Sequence, residues 1–541
     1  MINRRDFLKK SLFGTMALSL MGGMACSQKI PQKPNIVFIM CDDLNDIAVN
    51  YQGHSQARLP NIDELSESGV SFINAYNNAP LCAPSRASML CGIYPHRSRY
   101  FGFNHDIRYY RASPVLKDAK SFVKHFIENG YEAYGTGKLF HNGAQEWPND
   151  NFGPPQSFSP FPWDGKHNTG WGPDSLGFLP HPNKPEPLQN HWEATFGRLS
   201  DIPDFPNNED VEYEGWMSLS KPYHYEDSSN RDPVPDERYA KYAVDVINKD
   251  HEKPFLLAVG FTGTHTPYYA PDNYFERFPL DEIKIAPRLK NDLKDCADIL
   301  ADEYGTSNTD YGFKRYDQVM EAGGEKMLKK WTQAYLACAA LVDDQIGKVI
   351  KAVEKSPYAD NTIIILTSDH GFHMGEKEFL FKNSVWHESL HIPLICSGPE
   401  ISQGEVDQPV SLIDIYPTLL DLADLPKNPN RDTNQKPLDG FSLAPFLKDT
   451  DFSNWQGPDV ALSVIQGDEV TDMDDPASIQ KQHYVVHSKN YSYILCNNGE
   501  EELYNKKNDP HEWNNLAGDP NYADVKKRMK RHLLDLVPLA D

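Results

Sequence analysis

Two pairs of potential metal ligands follow apolar, β-rich runs at distant places in the chain. Asp42-Asp43 comes after residues 35–40, and Asp369-His370 comes after residues 362–366. Carboxylate oxygens in this number are the ligands that Ca²⁺ and Mg²⁺ prefer, although the histidine is also compatible with zinc. The two pairs are therefore candidates for a single divalent cation site.

Three other polar side chains also follow predicted strands. Lys138 and His141 come shortly after the strand predicted at 132–134, and His265 follows the buried run at 255–259. In open parallel sheets, ligands gather outside the carboxyl ends of the strands. Four strand ends would thus deliver Asp, Lys, His or Asp-His to one edge, and this coincidence predicts a catalytic site there.

Apolar strands that alternate with helices position these residues. The helices are predicted at about 121–129 and 325–354. This pattern predicts an α/β fold with a mostly parallel sheet and helices on both faces. Asp343-Asp344 on the long helix is interpreted as a pair of solvated acids. After about Asp449, strands at 460–465, 484–488 and 491–496 and a helix at 522–536 indicate a small C-terminal α+β subdomain.

Bulk properties restrict the class of protein. The chain has 541 residues and a formal net charge of −24. A nucleic-acid binder needs a basic field, so nucleic acid is not expected as a partner. An anionic substrate would have to be captured by a local basic pocket.

The N-terminus is typical of an export signal. Arg4-Arg5 begins a twin-arginine pattern, residues 12–24 are apolar, and Ala25 precedes Cys26. We predict an export signal at 1–33, a catalytic domain at 34–449 and the C-terminal subdomain at 450–541. The protein is expected in the periplasm or at the cell surface. Two interpretations stay open: a plain cleaved signal, or a lipoprotein attached to the outer membrane through lipidated Cys26. The spacing of the eight cysteines is not that of a disulfide framework.

One segment carries a specific resemblance. Residues 82–86 (Cys-Ala-Pro-Ser-Arg), followed by Leu90-Cys91-Gly92, resemble the signature of the formylglycine-dependent sulfatases. The resemblance implies an alkaline-phosphatase-like fold, a large mixed and mostly parallel sheet sandwiched by helices. It also implies that Cys82 is oxidised to formylglycine by a formylglycine-generating enzyme. A hydrated aldehyde has two hydroxyls on one carbon, so one can attack sulfur while the other later collapses and expels sulfate.

The resemblance also implies roles for the residues around the signature. Arg86 would hold the formylglycine, Lys138 would bind sulfate, and His141 would assist sulfate elimination as a base. His265 and Lys382 would stabilise or protonate the leaving alkoxide. Calcium is favoured over magnesium, with these ligands: Asp42, Asp43, Cys82, Asp369 and His370.

The substrate is expected to be a sulfated polysaccharide or oligosaccharide of the ulvan, carrageenan or glycosaminoglycan type. The motifs are similar to those of iduronate-2-sulfatases, but residues 262–265 are Thr-Gly-Thr-His where those enzymes tend to have His-Lys-Pro-His, so the substrate contacts are expected to differ. Candidate substrate-binding residues are His96, Arg97, His105 and His387.

Two other functions remain open at this stage. The same site could hydrolyse phosphonate or phosphate monoesters. Alternatively, the chain could be a catalytically dead, glycan-binding surface lipoprotein in which Cys82 is never modified.

Overall fold

The computed structural model of the protein describes residues 33–45, 54–102, 110–141, 146–158, 160–163, 185–189, 195–202, 215–218, 221–301, 310–431, 437–467 and 471–539. The chain from Lys33 onward forms one compact unit. Its strands are β1 (Asn35–Cys41), β2 (Val70–Phe72), β3 (Ala75–Tyr76), β4 (Glu132–Gly137), β5 (Phe152–Pro155), β6 (Phe161–Trp163), β7 (Phe196–Arg198), β8 (Gly215–Ser218), β9 (Lys221–Tyr223), β10 (Phe255–Phe261), β11 (Tyr268–Ala270), β12 (Thr362–Ser368), β13 (Leu394–Ser397), β14 (Gly404–Val406), β15 (Val410–Ser411), β16 (Ala461–Ile465), β17 (His483–His487), β18 (Tyr491–Leu495) and β19 (Glu501–Asn505). Its helices are α1 (Pro60–Glu67), α2 (Cys82–Cys91), α3 (Pro95–Ser98), α4 (Phe122–Glu128), α5 (Glu186–Gln189), α6 (Pro235–Ile247), α7 (Asp272–Phe275), α8 (Asp298–Ala301), α9 (Asp310–Lys355), α10 (His387–Leu390), α11 (Ile415–Leu422), α12 (Ala444–Lys448) and α13 (Ala523–Leu536).

The centre of the fold is an eight-stranded sheet in the order β14-β2-β13-β12-β1-β10-β4-β5. Strands β12, β1, β10, β4 and β5 are mutually parallel, and β14 is parallel to β2. Within this sheet, the antiparallel pairings among the described strands are those of β13 with β12 and with β2. The predicted large, mostly parallel sheet is confirmed. Its four central parallel strands, β12, β1, β10 and β4, are the ones that the sequence analysis placed before the candidate residues.

Both faces of the sheet are covered. In β1 all seven residues are buried, as expected for a central parallel strand. Ile36, Phe38 and Met40 belong to one core, while Val37 and Ile39 belong to the other, which contains α6 and α9 residues. Alternate side chains of β1 therefore pack against helices on opposite faces of the sheet. This packing fixes the position of the carboxyl end of the strand.

The interpretation of Asp343 as a solvated acid is wrong. Helix α9 is interrupted at Gly323 and Gly324, and its second part carries Asp343, whose side chain is fully buried. The carboxylate accepts hydrogen bonds from the Asn61 amide groups and from the Ile62 backbone N–H at 2.9 Å. Asp343 thus satisfies free N–H groups at the start of α1, and burial raises its pKa to about 6.

The C-terminal region forms a four-stranded antiparallel sheet, β16-β17-β18-β19, followed by α13. One face of this sheet packs on α13 through Met529 and Leu533. Its other face shares a core with Trp386 and Leu390. This face therefore contacts the segment that carries Lys382, while the boundary at 449/450 stays a prediction.

Three further observations concern the parts of the chain that the structure describes. Between residues 146 and 236, β6, β8 and β9 form a small antiparallel sheet, and β7 pairs with β11. The seven described cysteines are buried and free of disulfides. No helix in these ranges has the length and apolar character needed to cross a bilayer. The predicted signal and Cys26 lie outside the described residues.

Candidate active site

Helix α2 begins at Cys82, directly after the extended residue Leu81. Every residue of this helix is buried, so it runs through the core rather than over the surface. The Ser85 hydroxyl donates to the Asp369 backbone carbonyl at 2.6 Å and joins the start of α2 to the end of β12. The first turn of a helix has N–H groups without intrahelical partners, which favours an anion near Cys82.

Arg86 lies one turn into α2 and connects three strand ends. Its guanidinium donates to the Asp369 carboxylate at 2.8 Å and to the Asp42 carboxylate at 3.0 Å. It also donates to the backbone carbonyls of Lys138 and Leu139. The side chains of Arg86 and both acids are fully buried. Arg86 therefore fixes the ends of β1, β4 and β12 relative to the helix that carries Cys82.

The predicted metal ligands lie together. Ligand atoms of Asp42, Cys82, Asp369 and His370 all lie within 4.8 Å of one another, and Asp43 forms a second such group with Asp42, Cys82 and His265. His370 Nε2 is 3.1 Å from Cys82 Sγ and 3.4 Å from Asp43 Oδ1. His265, predicted from the sequence to act on the leaving alkoxide, also lies in this cluster, which was not predicted.

These donors fit a divalent metal ion. Oxygen ligands lie about 2.3–2.6 Å from Ca²⁺, so ligands of one ion lie within about 5 Å of each other, as these do. Burial alone would lower the pKa of His370, but Asp369, Cys82 and Asp43 raise it to about 9. Burial also raises the pKa of Asp369 to about 7, even beside Arg86. The carboxylates of Asp43 and Asp369 therefore place negative charge beside His370, which a divalent cation would offset.

Two lysines flank Cys82. Lys138 Nζ donates to Asp42 Oδ2 at 2.6 Å. Lys382 Nζ donates to Asp43 Oδ1 at 2.9 Å and to Cys82 Sγ at 3.2 Å. Burial alone would raise the pKa of the Cys82 thiol, but Lys138, Lys382 and His370 together hold it well below its usual value. The pocket thus stabilises negative charge at residue 82.

Two histidines complete the pocket. His265 Nδ1 lies 2.5 Å from the Thr266 carbonyl, so this nitrogen carries a proton, and Nε2 lies on the side of the site, 3.9 Å from Asp43 Oδ2. The His265 ring packs on Phe158. His141 hydrogen-bonds to Cys82, and burial lowers the pKa of His141. A neutral imidazole beside the nucleophile can accept a proton.

The candidate substrate-binding residues are not all placed near this pocket. His96 is buried, stacks on Tyr94 and hydrogen-bonds to the Leu536 backbone, and burial lowers its pKa to about 3. Arg97 forms an ion pair with Asp439. Both make contacts typical of structural residues, and none of these contacts involves the catalytic residues. His105 lies outside the described residues.

His387 has a different environment. It stacks on His391, and its backbone N–H donates to Glu512 at 3.0 Å. It also lines a cavity of about 260 Å³ together with Asn45 and His511. Asn45 is two residues after Asp43, so this cavity lies beside the metal-ligand segment.

Several residues that support the site were not predicted from the sequence. Thr264 donates to the Asp42 carbonyl at 2.6 Å, and Tyr335 donates to the Asp43 carbonyl at 2.9 Å. Asp236 binds the backbone of residue 262. These side chains come from helices and turns distant in sequence, and no local pattern distinguishes them from ordinary polar residues.

Buried carboxylates, lysines and a nucleophilic side chain at the carboxyl ends of parallel strands define a hydrolase of anionic esters. The sequence model of the family described as "Sulfatase" matches residues 34–425, and that described as "N-sulphoglucosamine sulphohydrolase, C-terminal" matches residues 375–538. The chain belongs to the sulfatase family. It is a sulfuric ester hydrolase, as the sequence analysis predicted.

Known proteins resemble the chain along most of its length. A sulfatase of Formosa agariphila is 30% identical over 506 residues, which are 91% of this chain and 84% of the relative. Human iduronate 2-sulfatase is 27% identical over 440 residues, 72% of this chain and 69% of the relative. Both are relatives of the class that the motifs indicated.

Solved structures share the fold. The phosphonate monoester hydrolase of Agrobacterium radiobacter superposes with a TM-score of 0.65 at 20% identity, covering 93% of this chain and 95% of its own. A protein solved with its substrate D-glucosamine-2-N,6-O-disulfate superposes with a TM-score of 0.63 at 20% identity, covering 94% and 98%. At this identity the likeness concerns the fold.

Proposed function

We propose that the enzyme removes sulfate esters from a sulfated saccharide and that residue 82 works as formylglycine. The observation that supports this most directly is the position of Cys82, held between Lys382 and His370 at the start of a buried helix. Conversion of the side-chain CH2–SH to CHO is a two-electron oxidation in which molecular oxygen is the oxidant and sulfur leaves as sulfide, so a formylglycine-generating enzyme that catalyses this step is the expected partner. The hydrated aldehyde would supply one hydroxyl to attack sulfur and a second whose collapse releases sulfate.

The residues that would hold calcium are Asp42, Asp43, Asp369 and His370, together with residue 82. A bound divalent cation offsets negative charge on the oxygens of the ester and of the nucleophile. Asp43 contacts Lys382, and Asp42 contacts Lys138 and Arg86. The carboxylates therefore orient the three cations as well as the metal.

The remaining side chains would act on the substrate. Lys138 and Lys382 would bind the sulfuryl oxygens and stabilise the charge that develops during transfer. His265, as an imidazolium whose Nδ1–H stays bound to the Thr266 carbonyl, would donate its Nε2 proton to the oxygen of the departing alcohol. His141, close to residue 82 and neutral, would accept the proton when the aldehyde forms again and sulfate leaves.

A sulfated sugar is the substrate class that we favour. The relatives and solved structures include an iduronate 2-sulfatase and a protein bound to a glucosamine disulfate. The Thr262–His265 sequence differs from that typical of iduronate-2-sulfatases, so we do not propose 2-sulfated iduronate specifically. The cavity beside His387, which is also lined by Asn45 two residues after Asp43, offers room for a small group of the sugar.

Export belongs to the proposal as well. The twin-arginine pattern at Arg4-Arg5 would direct the protein out of the cytoplasm, and Cys26 is a candidate for lipid attachment. Fractionation of the native host tests both: the protein is expected in the periplasmic or membrane fraction. A Cys26→Ser variant should leave the membrane fraction if lipidation occurs, and wholly cytoplasmic protein would contradict export.

Released sulfate from a panel of sulfated oligosaccharides tests the activity and identifies the sugar. Aryl sulfate and aryl phosphate, assayed side by side, separate a sulfatase from a phosphate or phosphonate monoester hydrolase. Lys138→Ala and Lys382→Ala should each lower kcat by about 100-fold, the typical effect of removing one charge-stabilising donor. Lys124→Ala, an exposed lysine on α4, is the control and should retain full activity. Unchanged turnover in both active-site variants would contradict the proposed roles.

A further inference from the structure

The turn that presents His265 is held at several points. It follows β10 and closes with a hydrogen bond from the His265 N–H to the Thr262 carbonyl at 3.0 Å. The Thr264 hydroxyl donates to the Asp42 carbonyl at 2.6 Å, and the Thr262 hydroxyl donates to the Ser157 carbonyl at 2.7 Å. These bonds attach the turn to the metal-ligand segment on one side and to residue 157 on the other.

A buried carboxylate holds the backbone of the same turn. Asp236, with a side chain that is almost fully buried, accepts the Thr262 N–H at 2.8 Å and also the Gly263 N–H. A Cβ on Gly263 would lie 2.4 Å from Asp236 Oδ2, so glycine allows this close approach. Two consecutive N–H groups thus bind one carboxylate, which fixes the plane of the turn.

Asp236 is not needed to cap its own helix. It lies in the first turn of α6, but the Val234 N–H is bound by Glu237 at 3.0 Å. Glu237 is itself held by Arg231, with two contacts of 2.7 Å. Among the described residues no lysine, arginine or histidine forms an ion pair with Asp236. The contacts that offset the burial of this carboxylate therefore come from the turn that carries His265.

We infer that Asp236 is a positioning residue for His265, and that through the turn it controls protonation of the departing alcohol. The inference rests on the proposed role of His265 in the sulfatase reaction. Because the Thr266 carbonyl already binds Nδ1, the direction of Nε2 depends on where the turn places the ring. A carboxylate that only stabilised the packing of α6 on β10 would affect the amount of folded enzyme and not the chemistry at one atom.

A leaving-group series distinguishes these two roles. The Asp236→Ala variant is assayed on aryl sulfates whose phenols differ in acidity, from 4-nitrophenyl sulfate to phenyl sulfate. The nitrophenolate departs without a proton, so its turnover should fall by less than about threefold, whereas turnover of phenyl sulfate should fall by about 100-fold, the size of a displaced catalytic group. His265→Ala should show the same dependence, and the double variant should be no worse than the more impaired single variant.

Two variants serve as matched controls. Asp343→Ala removes another buried carboxylate that binds consecutive backbone N–H groups, but at α1. Glu237→Gln perturbs the start of α6 without touching the turn. Both should lower the melting temperature and leave the dependence on the leaving group unchanged. Asp236→Asn, which keeps one acceptor oxygen, should lie between wild type and Asp236→Ala.

The outcomes separate the inference from the function on which it rests. If wild-type enzyme releases no sulfate from any ester, the proposed function fails. If wild type is active and Asp236→Ala loses the same factor on every aryl sulfate, the positioning role is refuted while the function stands. The inference also fails if the effects of Asp236→Ala and His265→Ala multiply in the double variant.

Discussion

Arg86 offers a test of how strongly the site depends on its buried charges. We consider Arg86→Ala, which removes the cation that binds Asp42 at 3.0 Å and Asp369 at 2.8 Å. Both carboxylates would remain buried, and the carbonyls of Lys138 and Leu139 would lose a donor. Removing one partner of a buried ion pair typically costs about 3–5 kcal/mol, because the other charge is left uncompensated.

That cost converts into a shift of the melting temperature. For a unit of roughly 500 residues, the entropy of unfolding near the midpoint is about 1 kcal/mol per kelvin, so Arg86→Ala should melt about 3–5 °C below wild type. Differential scanning calorimetry at one scan rate measures this difference. Arg86→Lys keeps the charge but cannot donate to both acids at once, so it should recover only part of the loss.

Lys241→Ala is the control, since its ion pair with Asp245 is exposed. Such pairs contribute less than about 1 kcal/mol, so this variant should melt within about 1 °C of wild type. If Arg86→Ala also melts within about 1 °C of wild type, the account of Arg86 as the link between three strand ends is refuted.

Three other predictions concern metal, helix capping and pH. Removing divalent cations with a chelator should abolish turnover and lower the melting temperature. Calcium at about 100 times its Kd should restore about 2.7 kcal/mol of the free energy of unfolding. Equal melting temperatures with and without chelator would count against a metal site. Asp343→Ala should lower the free energy of unfolding in urea by about 1–3 kcal/mol, because N–H groups at the start of α1 lose their acceptor. The control is Asp344→Ala, which removes only a partly exposed ion pair with Arg277. This variant should lose less than about 1 kcal/mol. Burial raises the pKa of Glu512 to about 7, so its contribution to stability is present below the unfolded pKa and is lost as the pH rises through 7. Glu512→Gln should therefore gain stability relative to wild type between pH 5 and pH 8, and a parallel pair of stability curves would contradict this.

The four central strands and their ends could be predicted because the signal is local. A buried parallel strand is a continuous run of apolar residues, without the alternation of apolar and polar side chains seen in half-exposed strands. The polar residue that follows the run marks the end of the strand. Asp42, His265 and Asp369 were placed at one edge on this basis. The antiparallel strand β13 was not predicted, because its four residues gain their direction from β12 and β2, which lie on either side.

Residues whose roles depend on tertiary contacts could not be predicted from the local sequence. Asp343 looks like a surface acid on its helix, and only the approach of Asn61, 282 positions away, makes it a cap. His96 follows the signature and is basic, yet the C-terminal end of the chain at Leu536 covers it. Asp236 likewise gains its role from a turn that begins 26 positions later. In each case the partner is set by tertiary packing.

The chemical state of residue 82 is the most direct test of the account. Active enzyme from its native host is digested, and the peptide that contains residue 82 is weighed by mass spectrometry before and after reaction with an aldehyde-specific hydrazide. The account predicts a peptide that has lost sulfur and two hydrogens and gained one oxygen, and that reacts with the hydrazide. An unmodified thiol at residue 82 in enzyme that releases sulfate would contradict it.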